Sequence, residues 1–208
     1  MDTRRIRRKI LVATTNPGKV AELRAMLDTD VEWLGLVDFP NAPEVDEDGT
    51  TFAENAQKKA TAYAKATGLW TLSDDSGLVI DALGGQPGVR SARFAGVEGP
   101  DRKTIDRCNI DKVLRLLRDV PGEQRAARFV CALCLAGPER VLIEATGTLG
   151  GRIIDTPTGG KGFGYDPIFL VPSLNKTVAQ LESQEKNAVS HRGNALRRLK
   201  PLLEQLLR

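Results

Sequence analysis

The strongest constraint on this chain lies in residues 126–148, where two long strand-like runs, Ala126–Ala136 and Val141–Thr148, are joined through Gly137-Pro138-Glu139. A connection that short joins antiparallel neighbours, so the two runs read as a hairpin. The chain opens differently. Lys9–Thr14 is a short apolar run ending in a turn, and Lys19–Leu27 places Val20, Leu23 and Leu27 on one helical face, a strand–loop–helix start. Val31–Val37 reads as a second strand, and residues 38–49 as a polar loop. Thr51-Phe52-Ala53-Glu54 is a capping box that opens a helix running to Thr67 and stopping at Gly68. Leu69–Ser73 is a strand that runs into Asp74-Asp75-Ser76-Gly77, after which Leu78–Ile80 resumes an extended pattern. Asp101–Leu117 and Gly193–Leu207 read as helices, the second interrupted by Pro201. Parallel-type and antiparallel elements together argue for α/β or α+β with a mixed sheet.

Composition places limits on partners and compartment. The chain has 208 residues, 41% of them hydrophobic and 27% charged. A chain of this length buries roughly 70% of its unfolded surface, enough for a full core without metals or disulfides. Residues 9–208 are therefore expected to form a single domain, preceded by a basic, disordered tail at 1–8. That tail resembles the charged start of a signal peptide, but the apolar stretch after it stops at Ala13, and no run reaches the roughly 18 apolar residues of a membrane span. A cytoplasmic protein without membrane contact is the expectation. Net charge is +3, and residues 1–9 alone carry +4, which leaves −1 for the rest. A basic nucleic-acid surface is thus not expected. Three cysteines suit a reducing compartment. Cys131 and Cys134, three apart on a strand, point to opposite faces and read as core thiols rather than a metal or redox pair.

Five segments bear side chains suited to chemistry. Thr14-Thr15-Asn16-Pro17-Gly18-Lys19 lies where a strand ends and a helix begins, and reads either as an anion cradle of backbone N–H groups plus Lys19 or as an Asn-Pro-Gly turn. Asp74 and Asp75 at a strand end suit a Mg²⁺ ion that keeps several waters, or a turn with side-chain-to-backbone hydrogen bonds. The acidic loop Glu44-Val45-Asp46-Glu47-Asp48 offers a further ligand or is a solvated loop. Thr158–Asp166 reads either as a loop whose glycines let a ligand approach the backbone, with Phe163 and Tyr165 as candidate stacking faces, or as a plain loop plugged by its aromatics. Lys186, Arg192 and the single histidine, His191, read as a donor set for a base or phosphate, or His191 as a structural residue.

Six ordered elements resemble the inosine triphosphate pyrophosphatases, the family that hydrolyses non-canonical purine nucleoside triphosphates. They are Ala13–Lys19, Thr51–Ala56, Asp74–Leu78, Leu83–Gly88, Gly162–Pro167 and Ser190–Gly193. The resemblance implies an α/β fold with an elongated mixed sheet, flanking helices and two lobes around a central nucleotide cleft, and a homodimer. It implies cleavage of ITP, dITP or XTP to the monophosphate and pyrophosphate, with Mg²⁺ as cofactor. Residue by residue, it implies that Thr14, Thr15, Asn16, Pro17, Gly18 and Lys19 bind the triphosphate. Asp75, with Asp74 beside it, becomes the general base, Asp75 and Glu47 the metal ligands, and Ser76 a substrate neighbour. Phe163, Gly164, Tyr165, Asp166, Lys186, His191 and Arg192 would hold base and ribose. A C6 oxygen, present in hypoxanthine and xanthine, would be welcomed by the donors of His191 and Arg192, whereas the adenine amino group would leave them unpaired.

Overall fold

The computed structural model describes residues 7–14, 17–99 and 101–208, with the backbone alone for residues 17–19, 21 and 22. Residues 1–6 of the expected tail, and Thr15 and Asn16 of the expected phosphate cradle, lie outside the described residues. β1 (Arg8–Val12) begins at the last residue assigned to that tail, and Arg7 just before it pairs with Asp30 at 2.7 Å.

The described strands form one sheet in the order β2-β1-β3-β4-β5-β6-β7. β2 (Val31–Gly35) and β3 (Trp70–Ile80) both run parallel to β1, connected through α1 (Pro17–Leu27) and α2 (Phe52–Thr67). β4 (Ala126–Ala136) and β5 (Val141–Ile153) are neighbours joined by a tight turn in which the Gly137 N–H donates to the Arg140 carbonyl at 2.9 Å. β6 (Phe169–Val171) and β7 (Lys176–Thr177) continue the antiparallel half. The remaining helices are α3 (Arg102–Leu116), α4 (Ser183–Val189) and α5 (His191–Leu206). This is the mixed α/β sheet with flanking helices that the sequence pattern implies. No described helix is long and apolar enough to cross a membrane.

The chain separates into two compact units, one of residues 1–75, 132–146 and 195–208, the other of 76–131 and 147–194. In the first, α2 lays Ala56, Ala60 and Ala64 on Ala132, Cys134 and Ala136 of β4, and small side chains on both elements permit a close approach. Both ends of α2 are closed as its sequence predicts. The Thr51 hydroxyl accepts the Glu54 N–H at 3.1 Å, the Glu54 carboxylate accepts the Thr51 N–H, and Gly68 takes φ +71° and donates to Ala64 O. The second unit is built on larger side chains, including Leu78, Ile80, Phe129, Ile153 and Phe169, covered by Ile110 and Val113 of α3. Cys131 and Cys134 are buried and form no disulfide, and burial pushes the Cys134 thiol up to about 12, which fits inert core thiols.

One expectation is corrected. Asp74-Asp75-Ser76-Gly77 does not end a strand, because β3 runs unbroken through it. The carboxylates are tolerated in mid-strand because successive residues face opposite sides of a sheet, and the two find different surroundings, Asp75 buried and Asp74 half-buried.

Gly151 in β5 has no room for a side chain, since an added Cβ there would overlap the Leu170 carbonyl and the Phe169 ring. Gly151→Ala is expected to destabilise the chain by about 2 kcal/mol through overpacking. Chemical denaturation measures this, and an unchanged midpoint would contradict the packing described.

Candidate functional site

In the first unit, α2 presents Asn55 and Lys59, one turn apart and so on one face of the helix, toward β3. Asn55 Nδ2 donates to Asp75 Oδ2 at 3.0 Å, while Asn55 Oδ1 accepts the Gly49 N–H at 2.7 Å. One amide thereby anchors both the buried carboxylate and the end of the acidic loop. Gly49 is required at this point, because a Cβ would overlap Asn55 and Glu54. Lys59 Nζ donates to the Asp74 carbonyl at 2.7 Å and pairs with Glu47 Oε1 at 3.2 Å. Ser73 Oγ, one residue earlier on β3, donates to Ala56 O at 2.5 Å and binds strand to helix. Of the loop carboxylates, Glu47 meets Lys59 at this face and Asp48 turns to the exposed Lys58. Neither Asn55 nor Lys59 is among the site residues expected from sequence. The available signal is their i, i+4 spacing inside Thr51–Ala56 and the turn that follows it.

The metal test is one of donor chemistry. Mg²⁺ is commonly held by one or two carboxylates and completes its shell with water and phosphate oxygens. Asp75 and Glu47 make such a set, and Glu47 and the Asp74 carbonyl are both within bonding distance of the same ammonium, Lys59. Among the described residues no group of three or more His, Cys, Asp or Glu forms a ready cage. Thr14 follows β1 and is half-buried, while Pro17, Gly18 and Lys19 open α1, whose free N–H groups face whatever approaches that end.

In the second unit, residues 159–166 form a loop bent by glycines. At Gly162 φ is +77° and a Cβ would overlap the Asp166 carboxylate and crowd Lys186 Nζ, so both backbone shape and space demand glycine. Asp166 Oδ2 accepts the Phe163 N–H at 3.1 Å and the Lys186 Nζ at 2.5 Å. The Lys186 ammonium also lies 4.9 Å from the Phe163 ring centroid, in cation–π range. Phe163 keeps 54% of its surface exposed, an aromatic face left to solvent beside a cation.

Tyr165 departs from expectation. Its ring belongs to the core cluster and its hydroxyl donates to Ser91 O at 2.8 Å, so it presents no stacking face. Residues two apart would share a side of an extended chain, and the bend at Gly164, where φ is +60°, breaks that pattern. Burial raises the Tyr165 phenol well above its usual value, with the Asp106 charge adding to the rise. His191 and Arg192 open α5 and are almost fully buried. The imidazole stacks on Phe129 at 5.0 Å between centroids and 22° between planes. Ser190 Oγ accepts the Gly193 N–H at 3.0 Å and closes the helix start. Ser76 follows Asp75 on β3 and is half-buried.

A model of the Ham1 family matches residues 10–202. A dITP/XTP pyrophosphatase from an Exiguobacterium species is 54% identical over 193 residues, spanning 92% of this chain and 94% of that protein. One from Shouchella clausii is 48% identical over 196 residues, spanning 94% and 96%. Among solved structures, a HAM1 protein from Coxiella burnetii matches with TM-score 0.87 at 41% identity, covering 95% of this chain and 99% of its own. The Staphylococcus aureus Ham1 protein matches with TM-score 0.86 at 40% identity and the same coverage.

Burial raises the Asp166 carboxyl above the usual aspartate value of 3.8, against the opposing pull of Lys186, the Phe163 N–H and the Arg192 charge. The folded chain therefore holds this proton to higher pH than the unfolded chain. The stability it contributes is present below the ordinary value and is lost as pH rises through the raised one. Relative to Asp166→Asn, the native chain should lose stability as pH climbs from 3.8 through the raised value. Urea denaturation at a series of pH values measures this, and a pH-independent difference would contradict it.

Proposed function

The chain belongs to the Ham1 family, and from that premise we propose that it hydrolyses the non-canonical purine nucleoside triphosphates ITP, dITP and XTP to the monophosphate and pyrophosphate. The observation that carries the base reading is the exposed Phe163 ring with the Lys186–Asp166 pair at its edge. A purine stacks on the ring, and the groups beside it read its edge. Lys186, His191 and Arg192 supply donors for a C6 oxygen, and the Asp166 carboxylate supplies an acceptor for the N1–H of hypoxanthine or xanthine. Adenine reverses both positions, with an amino donor at C6 and an acceptor at N1, so it leaves buried groups unpaired. Gly164 contributes backbone to the same loop, and Ser76 stands next to the reacting end. Tyr165 supports the loop from the core side.

For the chemistry, Asp75 accepts a proton from water as the water oxygen bonds to the α-phosphorus. The bond from that phosphorus to the bridging oxygen breaks, and pyrophosphate leaves with the electron pair. Asn55 keeps the Asp75 carboxylate oriented through its bond to Oδ2. Asp74 lies on the opposite side of β3 and acts through its carbonyl, which holds Lys59. Thr14, Thr15, Asn16 and the first residues of α1 with Lys19 receive the phosphates. Asp75 and Glu47 would hold Mg²⁺, which supplies neutralisation of phosphate charge when bound. We extend the reading to a homodimer of the cytoplasm, in line with the family resemblance.

Incubation with ITP or ATP and Mg²⁺, with pyrophosphate resolved from orthophosphate, tests the proposal. IMP and pyrophosphate from ITP, with ATP nearly untouched, are expected. Orthophosphate, or equal attack on ATP, would refute the bond assignment or the base reading respectively. Asp75→Asn keeps an oxygen for Asn55 but not a base, so kcat should fall by about 10²-fold or more while nucleotide binding persists. Retained turnover would remove Asp75 from the base role.

A further inference from the structure

α3 turns one stripe of side chains into the core, and within that stripe, where Ile110 and Val113 are apolar, stands a carboxylate, Asp106. Its side chain is 11% exposed, whereas Arg102 one turn earlier is 56% exposed. A carboxylate in such surroundings costs free energy unless it is bonded. Asp106 Oδ2 accepts the Gly164 N–H at 2.7 Å across 58 residues of sequence, and Oδ1 faces Arg102 Nε at 2.9 Å.

The consequence falls on Phe163. The peptide group before Phe163 is held by its own N–H on Asp166, and the peptide group after it is held by the Gly164 N–H on Asp106. Both peptide planes that define φ and ψ of Phe163 are thus fixed by carboxylates from two different elements. Without those bonds this residue would sit between two freely turning neighbours, since Gly162 and Gly164 both take positive φ, at +77° and +60°, and glycine carries the largest backbone entropy. α3 secures Tyr165 as well. Asn109 donates to the Ser91 and Ala92 carbonyls at 3.4 and 3.3 Å, and Ser91 O in turn accepts the Tyr165 hydroxyl.

We propose that Asp106 is a positioning residue that aims the Phe163 ring for stacking on the substrate base, acting through the Gly164 peptide. This rests on the reading of Phe163 as the base platform. The closing experiment separates the two. KM and kcat for ITP are measured for Asp106→Leu, Phe163→Ala and the double variant, with thermal unfolding as a check on folding. Asp106→Leu removes the acceptor at similar volume, and KM should rise about tenfold, the worth of one buried hydrogen bond, with kcat changed less than about threefold. In the Phe163→Ala background the same change should move KM by less than about twofold, because there is no ring left to aim. Asp106→Asn retains an oxygen for the Gly164 N–H and should recover most of the loss.

If Phe163→Ala leaves KM unchanged, the base-platform reading fails. If Phe163→Ala raises KM but Asp106→Leu does not, or multiplies its effect in both backgrounds, the platform stands and Asp106 is only structural. Should Asp106→Leu fail to unfold cooperatively, amide exchange in the unaltered chain decides. Protection of the Gly164 N–H comparable to that of α3 supports the tether, and exchange at the rate of an unstructured peptide overturns it.

Discussion

A carboxylate in the middle of a buried strand costs free energy unless something in the protein replaces the water it has lost. Asp75 on β3 is in that position, and the surrounding part of its unit is organised around it. Asn55 answers it directly, and because the same amide takes the Gly49 N–H, the acidic loop is tied to the same point. Asn55 reaches β3 because α2 lies close against the sheet through alanines, and α2 keeps its register because both its ends are capped. Ser73 on β3 binds the helix again two residues before Asp75. The polar site thus depends on an apolar contact, since larger side chains at Ala56 or Ala60 would lift the helix and break the Asn55 bond.

The second unit solves a similar problem with a loop in place of a strand. Asp166 is held by a lysine, a backbone N–H and the field of Arg192, and burial still leaves its carboxyl raised. Such a group is sensitive to what fills the space beside it. A purine that offers a donor to Asp166 and an acceptor to Lys186 restores the interactions water would have made, and one that offers the reverse does not. Selectivity on this account comes from the cost of leaving buried groups unpaired. It needs a platform that does not move, and Asp106 of α3, Lys186 of α4 and Asp166 hold the loop rich in glycine.

Much of this was legible in the residues before any coordinates. The capping box at Thr51, the stop at Gly68 and the tight turn between β4 and β5 are local devices whose physics acts over a few residues, and the structure forms them where the sequence places them. The motif segments also proved to hold interacting groups, with Lys186 on Asp166 and Asn55 on Asp75. Other features were not readable. β3 was expected to break at the Asp pair because two carboxylates side by side resemble a turn, and only the helix packed on it shows why the strand continues. Tyr165 and Phe163 look alike in sequence, yet one ring is in the core and the other faces solvent.

Taken alone, the order of residues determined the local elements, the glycine positions, the family and the inventory of carboxylates and donors, because these depend on short-range sterics and on chemistry carried by each side chain. Tertiary structure decided the partners. Asn55 finds Asp75 across 20 residues, Lys59 finds Asp74 across 15, and Asp106 finds Gly164 across 58. A hydrogen bond between groups so distant in the chain leaves no periodic trace in the sequence. It exists only once packing has brought two backbones together and removed the water that either group would otherwise have bonded.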